Sequence, residues 1–478
     1  LLKIVIVNNP SEIINNKFFA VIIGSGPAGI STAIKLEKYK IKSLILEAGS
    51  LDYNPDSELF LKGKVVGDTH NDLTTSRVRK FGGTSEVWGG NCNPMLENDF
   101  EKWPIKKKDL NKYEKESRQI LNLKQNFFNE KFNENLNLYN LVWSNVRFGE
   151  KYFDHIKKSK FIFLSLNTTF LNFKSKNKTI IFAECIKNNK KFKISSKNFV
   201  LSCGGIENSR LLLWTRNNNE KLFNHKMPIG KYYMNHPYHS IGEGVIEYDK
   251  FFSFIESANI INQPIITCNN QIYISANKKF LQNNNILNSG IYIRFKTIDQ
   301  KNNLIKQLRC VAPKYIKKLY EKIYIKDFYE IQISTLQEQG VYEENYIDLS
   351  NERDPYGIPL TKIHWKKSIF EKKSARFICE ELADIFLKKE IGRLALKEYL
   401  YNDNLDYDVV AGNHQLGGTR MGFNDTESVV DKNLKVHNIN NLYINGSSVF
   451  RTGGHCHPTY TIVKLSLRLA DHLTNVKN

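Results

Sequence analysis

Paired cysteines are missing from this sequence. Its seven cysteines, Cys92, Cys185, Cys203, Cys268, Cys310, Cys379 and Cys456, stand singly, and no C-x-x-C spacing occurs. That argues against a disulfide framework and against a zinc site, so no metal is expected and a reducing cytoplasm is the simplest compartment. No apolar run approaches the roughly 20 residues that cross a bilayer. The opening LLKIVIVNNPSEIINNK has too short an apolar run for a signal peptide, and it lacks an initiator Met. There is no internal repeat and no long low-complexity linker. Acidic residues are scarce beside basic ones, 49 against 69, which leaves a formal net charge of +20.

The charge has a plain reading and a sharper one. Lys abounds together with Asn and Ile, and a solvated lysine surface accounts for most of the excess, because net charge governs solubility and association rather than fold. The sharper reading is an anionic substrate or a membrane surface. Its best support is 312–331, where Ile316, Leu319, Tyr320 and Ile323 share one helical face and Lys317, Lys318, Lys322 and Lys326 lie elsewhere. The same pattern describes an ordinary surface helix, so membrane association is not favoured. No nucleic-acid motif accompanies the charge, so no nucleic-acid partner is expected.

At 478 residues the chain is too long for one ordinary core, and two domains are expected. The clearest signal is VIIGSGPAGI at 21–30. A short apolar strand at 20–23 runs into Gly24, Gly26 and Gly29, and helical periodicity follows over 30–39. A second strand, 42–46, ends on Glu47. This is G-x-G-x-x-G in the strand–turn–helix setting that gives the motif meaning. The turn uses Gly24, the pyrophosphate approaches at Gly26, and helix packs on strand at Gly29. Pro27 and Ala28 open the helix, whose free N–H groups face the phosphates. Glu47 stands where an acid accepts hydrogen bonds from the adenosine ribose. GSGPAG followed by LILEAG looks more like the FAD version than the NAD version.

The middle of the chain is organised by turns. Polar turns (KSKNK, KNNKK) make 172–197 a β-meander. The strand NFVLSC, 198–203, leads through Gly204 and Gly205 into a helix, and reads as a later strand of the nucleotide-binding sheet. FGGTSEVWGGNCNP, 81–94, fits neither helix nor strand and reads as an extended loop that approaches something flat or charged. Strand-like runs FYEIQIST, NYIDLS and TKIHW, with helices over 368–387 and 390–399, indicate a substrate domain of antiparallel sheet plus helices.

The far end repeats the opening logic. Strand-like pieces at 431–436 and 441–444 lead into Asn445, Gly446 and Ser447, and an amphipathic helix covers 461–473. His414 and His457 lie in glycine-bearing loops on either side of that strand, with His455 a competitor two residues from His457. Histidine is the common general base near neutral pH. Of the 11 histidines, these are the candidate site residues.

Taken together, GSGPAG with Glu47, FGGTSEVWGGNCNPM, LSCGGIENSRLLL, HQLGGTRMG and NLYINGSSVFRTGGHCHPTYTIVKLSLRLADHL resemble the glucose–methanol–choline (GMC) oxidoreductases, in the family's order and over nearly the whole chain. The closer resemblance is to the compact bacterial branch with sugar- and aminoglycoside-oxidising members, and to pyranose oxidase-like sequences. The resemblance implies an α/β fold. A Rossmann-type FAD-binding domain would take 1–95, 165–245 and 405–478, and a discontinuous substrate domain of antiparallel sheet plus helices 96–164 and 246–404. It implies oxidation of a CH–OH group of a sugar, polyol or related alcohol to a carbonyl, with hydride passing to flavin N5. His414 matches the proton-accepting base and His457 the second catalytic position, before Pro-Thr and beside Thr459. Gly82, Gly83, Thr84, Ser85, Gly90 and Asn91 would lie along the isoalloxazine ring, and Gly446 and Ser447 near the ribityl chain and phosphate. Relatives that attach FAD covalently do so through a histidine in the glycine loop. Val87 stands at that place here, so non-covalent FAD is expected.

An imidazole of ordinary pKa, about 6.5, can take the alcohol proton at neutral pH. A second imidazole can stabilise the alkoxide that develops. The electron acceptor, whether oxygen, a quinone or a protein, stays open. The alternative activity is a non-redox, hydroxynitrile-lyase-like reaction with structural FAD. Cys456 is expected to pack rather than react.

Overall fold

The computed structural model describes residues 6–7, 9–257, 271–295, 328–407, 410–411 and 413–476. A five-stranded parallel sheet runs in the order Leu442–Ile444, Ser196–Leu201, Phe18–Ile23, Ser43–Leu46, Ile162–Ser165. Its strands are apolar on both faces, as helices covering both sides of a sheet require. Two helices lie together against it, Pro27–Lys38 and Pro458–Asn475. The first and last nucleotide-type units of the sequence therefore share one sheet. All helices that follow its strands start at the same end, the end where open α/β sheets bind ligands.

A larger antiparallel sheet is built from Gly392–Leu396, Pro237–Glu247, Phe328–Gln337, Ser289–Phe295, Gln271–Ala276, Leu136–Tyr139 and Asn129–Lys131, in that order. The helix Ile369–Lys388 buries Ile378, Leu382 and Phe386 against one face. Ser368 and Glu371 close its first turn as a capping box. The opposite face carries Tyr238, Tyr273, Tyr292 and Leu336.

The expected meander is three antiparallel strands, Thr169–Lys176, Thr179–Lys187 and Lys190–Ile194. Its two hairpin turns are Asn177–Lys178 and Asn188–Asn189, all four residues at positive φ, as two-residue hairpins require.

Three expected elements differ. Residues 390–399 are not a helix. Gly392–Leu396 is a strand paired with Pro237–Glu247, followed by a 3-10 turn at Glu398–Leu400. The alternation of GRLAL lets an open sheet edge outcompete a weak local helix preference. Residues 431–436 form isolated bridges rather than a strand, because the Asp431 carboxylate accepts from the N–H groups of Asn433 and Lys435 and bends the chain into a turn. The loop 81–94 contains a 3-10 turn, Gly83–Glu86, and a two-residue strand, Asn91–Cys92. Residues 312–327 of the amphipathic stretch lie outside the described residues, as do Cys268 and Cys310. The other five cysteines are free.

Candidate active site

Three strand–turn–helix units converge on one cavity of about 650 Å³. In the first, an added Cβ at Gly29 would sit 2.0 Å from the Gly24 carbonyl, so helix and turn touch only because position 29 has none. On the Cβ side of Gly26 no atom lies within 4 Å, and that space is the cavity. In the second unit Gly204 likewise opens on empty space. In the third, Gly446 has φ +117° and ψ −171°, a conformation essentially restricted to glycine. It turns the chain so that Gly446 and Ser447 face the cavity.

Every predicted site residue lines this cavity except Gly29, which is the packing point behind the turn, and Gly82. The Gly82 N–H donates to Ser25 Oγ, and Ser25 Oγ donates to Glu47. The carboxylate of Glu47 also accepts from the Ser25 and Gly49 N–H groups. Glu47 thus braces the first turn and, through Ser25, the 82–91 loop, while remaining on the cavity wall. The donor set fits a dinucleotide such as FAD. Helix Pro27–Lys38 presents its N-terminus, and two cavity-lining polar atoms, Ser202 Oγ and Gln415 Nε2, are buried with no partner among the described residues. Glu47→Gln places an amide where three donors converge. We expect FAD affinity to fall roughly 10- to 100-fold, from about 1.5–3 kcal/mol per hydrogen bond to a charged group. A fluorescence titration of the apoprotein that gave wild-type affinity would refute this.

The two candidate histidines meet on the wall of the same cavity. Their ring centroids are 5.1 Å apart at 73°. His414 sits in the loop after Val410–Ala411, and its N–H donates to Asn235 Oδ1. Nδ1 of His414 lies 2.9 Å from Nδ1 of His236, so one of those nitrogens carries the proton and the other accepts it. Asn235 Oδ1 also accepts from the His236 N–H, and Asn235 Nδ2 lies 3.2 Å from His70 Nε2. His70, Asn235 and His236 therefore form one scaffold under His414.

His457 caps the last helix, and its proton position follows from its partner. Asn93 Oδ1 accepts from the His457 backbone N–H at 2.8 Å, which identifies that atom as the oxygen. The same oxygen lies 3.0 Å from His457 Nδ1, so Nδ1 is the protonated nitrogen. Nε2 then carries a lone pair, 3.4 Å from the Tyr292 hydroxyl. Its competitor His455 is fully enclosed. The Tyr273 hydroxyl is 2.6 Å from its Nδ1, Tyr139 and Tyr273 flank its ring, and it does not reach the cavity. Cys456 packs with Sγ 3.1 Å from the Pro94 carbonyl.

Both site imidazoles lie deep in the molecule yet keep a partly open face on the cavity. Burial lowers the pKa of His414 to about 4. Burial first, then the charge His414 would carry, pulls His457 well below its ordinary value. Both are neutral at pH 7. His414 is a weaker base than the ordinary imidazole assumed from sequence. His236 and Tyr292 carry no glycine pattern or regular spacing, and Asn93, although inside the 81–94 loop, is one of two asparagines there with nothing local to set it apart. His236–Pro237 at a strand start was the only local hint.

Residues 341–466 match the family model described as GMC oxidoreductase. The chain is 26% identical over 287 residues to the fructose dehydrogenase large subunit of Gluconobacter japonicus, covering 59% of this chain and 48% of that protein. It is 33% identical over 129 residues to C-glycoside 3-oxidase of Arthrobacter globiformis, covering 26% and 23%. The chain thus spans about half the length, or less, of these curated relatives. Pyridoxine 4-oxidase from Mesorbium loti shares the fold with a TM-score of 0.63 at 12% identity, over 96% of this chain and 99% of that one. Formate oxidase does so at 0.57 and 14%, over 96% and 98%.

Proposed function

We propose, on the premise that this chain is a relative of the GMC oxidoreductases, that it is an FAD-dependent enzyme oxidising a CH–OH group of a sugar, polyol or related small alcohol to a carbonyl. The observation that carries this is the placement of His414 and His457, 5.1 Å apart, on the cavity that the dinucleotide-type turns enclose. The names of the relatives, a fructose dehydrogenase and a C-glycoside oxidase, support sugars. Val87 is exposed and no histidine occurs in the 81–94 loop, which supports non-covalent FAD.

Bound FAD supplies the hydride acceptor. The chain's own task is the proton. In this reading His236 is protonated on Nε2, which has no hydrogen-bond partner among the described residues, and its Nδ1 is the acceptor in the contact with His414. His414 then donates from Nδ1 and presents the Nε2 lone pair to the alcohol O–H. With its Nδ1–H donated to Asn93 Oδ1, neutral His457 also presents an acceptor lone pair, on Nε2. It accepts a second hydroxyl, on a carbon next to the one oxidised, which favours polyols over monohydric alcohols. His414, a weak base, completes the proton transfer as the carbonyl develops and the oxygen becomes acidic.

The test is a visible spectrum of purified protein followed by anaerobic addition of sugars, polyols and simple alcohols. A flavin spectrum that bleaches with a polyol is the expected result. A flavin that no alcohol bleaches would shift the reading to the lyase alternative. Failure to take up FAD at all would overturn the cofactor.

A further inference from the structure

The charged groups on the cavity wall have protein partners at nearly every position. Arg77 meets Glu207 at 3.3 Å, Arg210 meets Asp354 at 2.7 Å, Arg79 donates to Thr169, and Glu47 is held by Ser25 and Gly49. Arg294 differs. Among the described residues it has no hydrogen-bond or ion-pair partner, and its Nε is buried and unsatisfied. Burying a guanidinium nitrogen is costly unless an acceptor completes it. The described protein supplies none, and the side chain lies on the cavity.

Its position is defined. Arg294 is two residues beyond Tyr292 on the strand Ser289–Phe295, so both side chains share the cavity face, about 7 Å apart along the strand. Tyr292 touches His457. The guanidinium carbon stands 5.7 Å from the ring centroids of both Tyr238 and Tyr292. Tyr238 lines the same cavity, and its hydroxyl too is buried without a partner among the described residues. A cation and a phenol, both lacking acceptors, therefore face the cavity about one strand repeat from the imidazole pair.

We propose that Arg294 binds an anionic group of the substrate, with the Tyr238 hydroxyl donating beside it. The natural alcohol is then a polyhydroxylated anion of sugar size. Its reacting carbon lies at His414 and His457, and its charged oxygens lie roughly 6–8 Å away. This rests on the oxidoreductase reading above. The fork of the guanidinium matches carboxylate and phosphate oxygens alike, so the shared chemistry is an oxyanion, from a sugar acid or a sugar phosphate. A cavity selecting neutral sugars would have no use for an unpaired cation at this place.

The experiment uses the FAD-loaded protein and matched pairs: gluconate against sorbitol, glucuronate against glucose, and glucose 6-phosphate against glucose. Anaerobic stopped-flow reads flavin bleaching, and the expected efficiency advantage of an anionic member is about 10- to 100-fold, as for a charge-assisted bidentate contact. The pair showing it identifies carboxylate or phosphate. R294M should bring the ratio to near one, and R294K should restore part of it. Equal efficiency within every pair, or an unchanged ratio in R294M, overturns the proposal while leaving the oxidoreductase reading intact. A second readout needs no turnover: calorimetric binding of cyclohexanecarboxylate and of inorganic phosphate against cyclohexanecarboxamide. Anion binding lost in R294M upholds the site even if no alcohol reduces the flavin. No anion binding to the wild type overturns it.

Discussion

Replacing His414 with alanine slows flavin reduction by a factor on the order of 100 or more while FAD stays bound, the scale of losing a general base. The cofactor is spared because the residues that would hold its phosphates and ribose are those of the glycine turns and Glu47, which His414 does not hydrogen-bond. On the proposed mechanism the rate falls because the alcohol proton loses its acceptor, His414 Nε2, whose ring His236 holds through a 2.9 Å contact between Nδ1 atoms. The wild-type pH profile should share this origin. On that mechanism activity needs the neutral imidazole, and burial lowers its pKa to about 4. Reduction should therefore stay level from pH 7 to about pH 5 and fall only as pH approaches 4, whereas an ordinary histidine would lose activity near pH 6.5. A wild-type rate in H414A would remove His414 from the mechanism. A profile breaking near pH 6.5 would contradict its burial.

Acid should destabilise the protein progressively from about pH 6.5 downward, seen as a falling Tm. Burial lowers His239 to about 4 and His455 to about 3, with His414, His236 and His457 depressed as well. The sign is fixed by linkage. A histidine held neutral in the fold binds fewer protons than in the unfolded chain, so its contribution is whole above about pH 6.5 and drains away as pH falls toward the folded pKa. For the fully enclosed His239 and His455 this amounts to roughly 3–5 kcal/mol each, as an upper bound at about 1.36 kcal/mol per pH unit. Some buried carboxyls oppose it. Burial, with Glu338 nearby, raises Asp99 to about 8, and burial raises Glu338 and Glu371. These groups are protonated more readily in the fold and favour it as pH drops from about 8. Over the two pH units from 6.5 to 4.5 the enclosed His239 and His455 lose up to about 3 kcal/mol each, at about 1.36 kcal/mol per unit, against a similar gain at Asp99, so the direction of the change is destabilising. Thermal melts at pH 7, 6, 5 and 4.5 should show a falling Tm with its onset near pH 6.5. A Tm constant from pH 7 to 5 would mean that the carboxyls cancel the histidines.

Both predictions depend on residues that differ in how far the sequence reveals them. The 20–47 unit was legible because its information is local: an apolar strand, glycines where a Cβ would strike the turn, and an acid at the end of the next strand. The strand–Gly446–helix unit at the far end was legible for the same reason. Residues 390–399 were misread because GRLAL satisfies either periodicity over so short a span, and the edge of Pro237–Glu247, some 150 positions earlier, decides it. Arg294 gave no signal, since one arginine in an alternating strand is ordinary until its neighbours are known.

By itself the sequence determined the turns, the two histidine loops and the excess of positive charge, because backbone sterics and composition act within a few residues. Only the tertiary structure decided that His236 stands behind His414, that Asn93 sets the proton on His457, that His455 is enclosed, and that Arg294 lacks an acceptor. The reason is physical. Desolvation, tautomer choice and the pairing of buried charge depend on the atoms within a few ångströms of a group, and in this chain those atoms come from positions up to 364 residues apart.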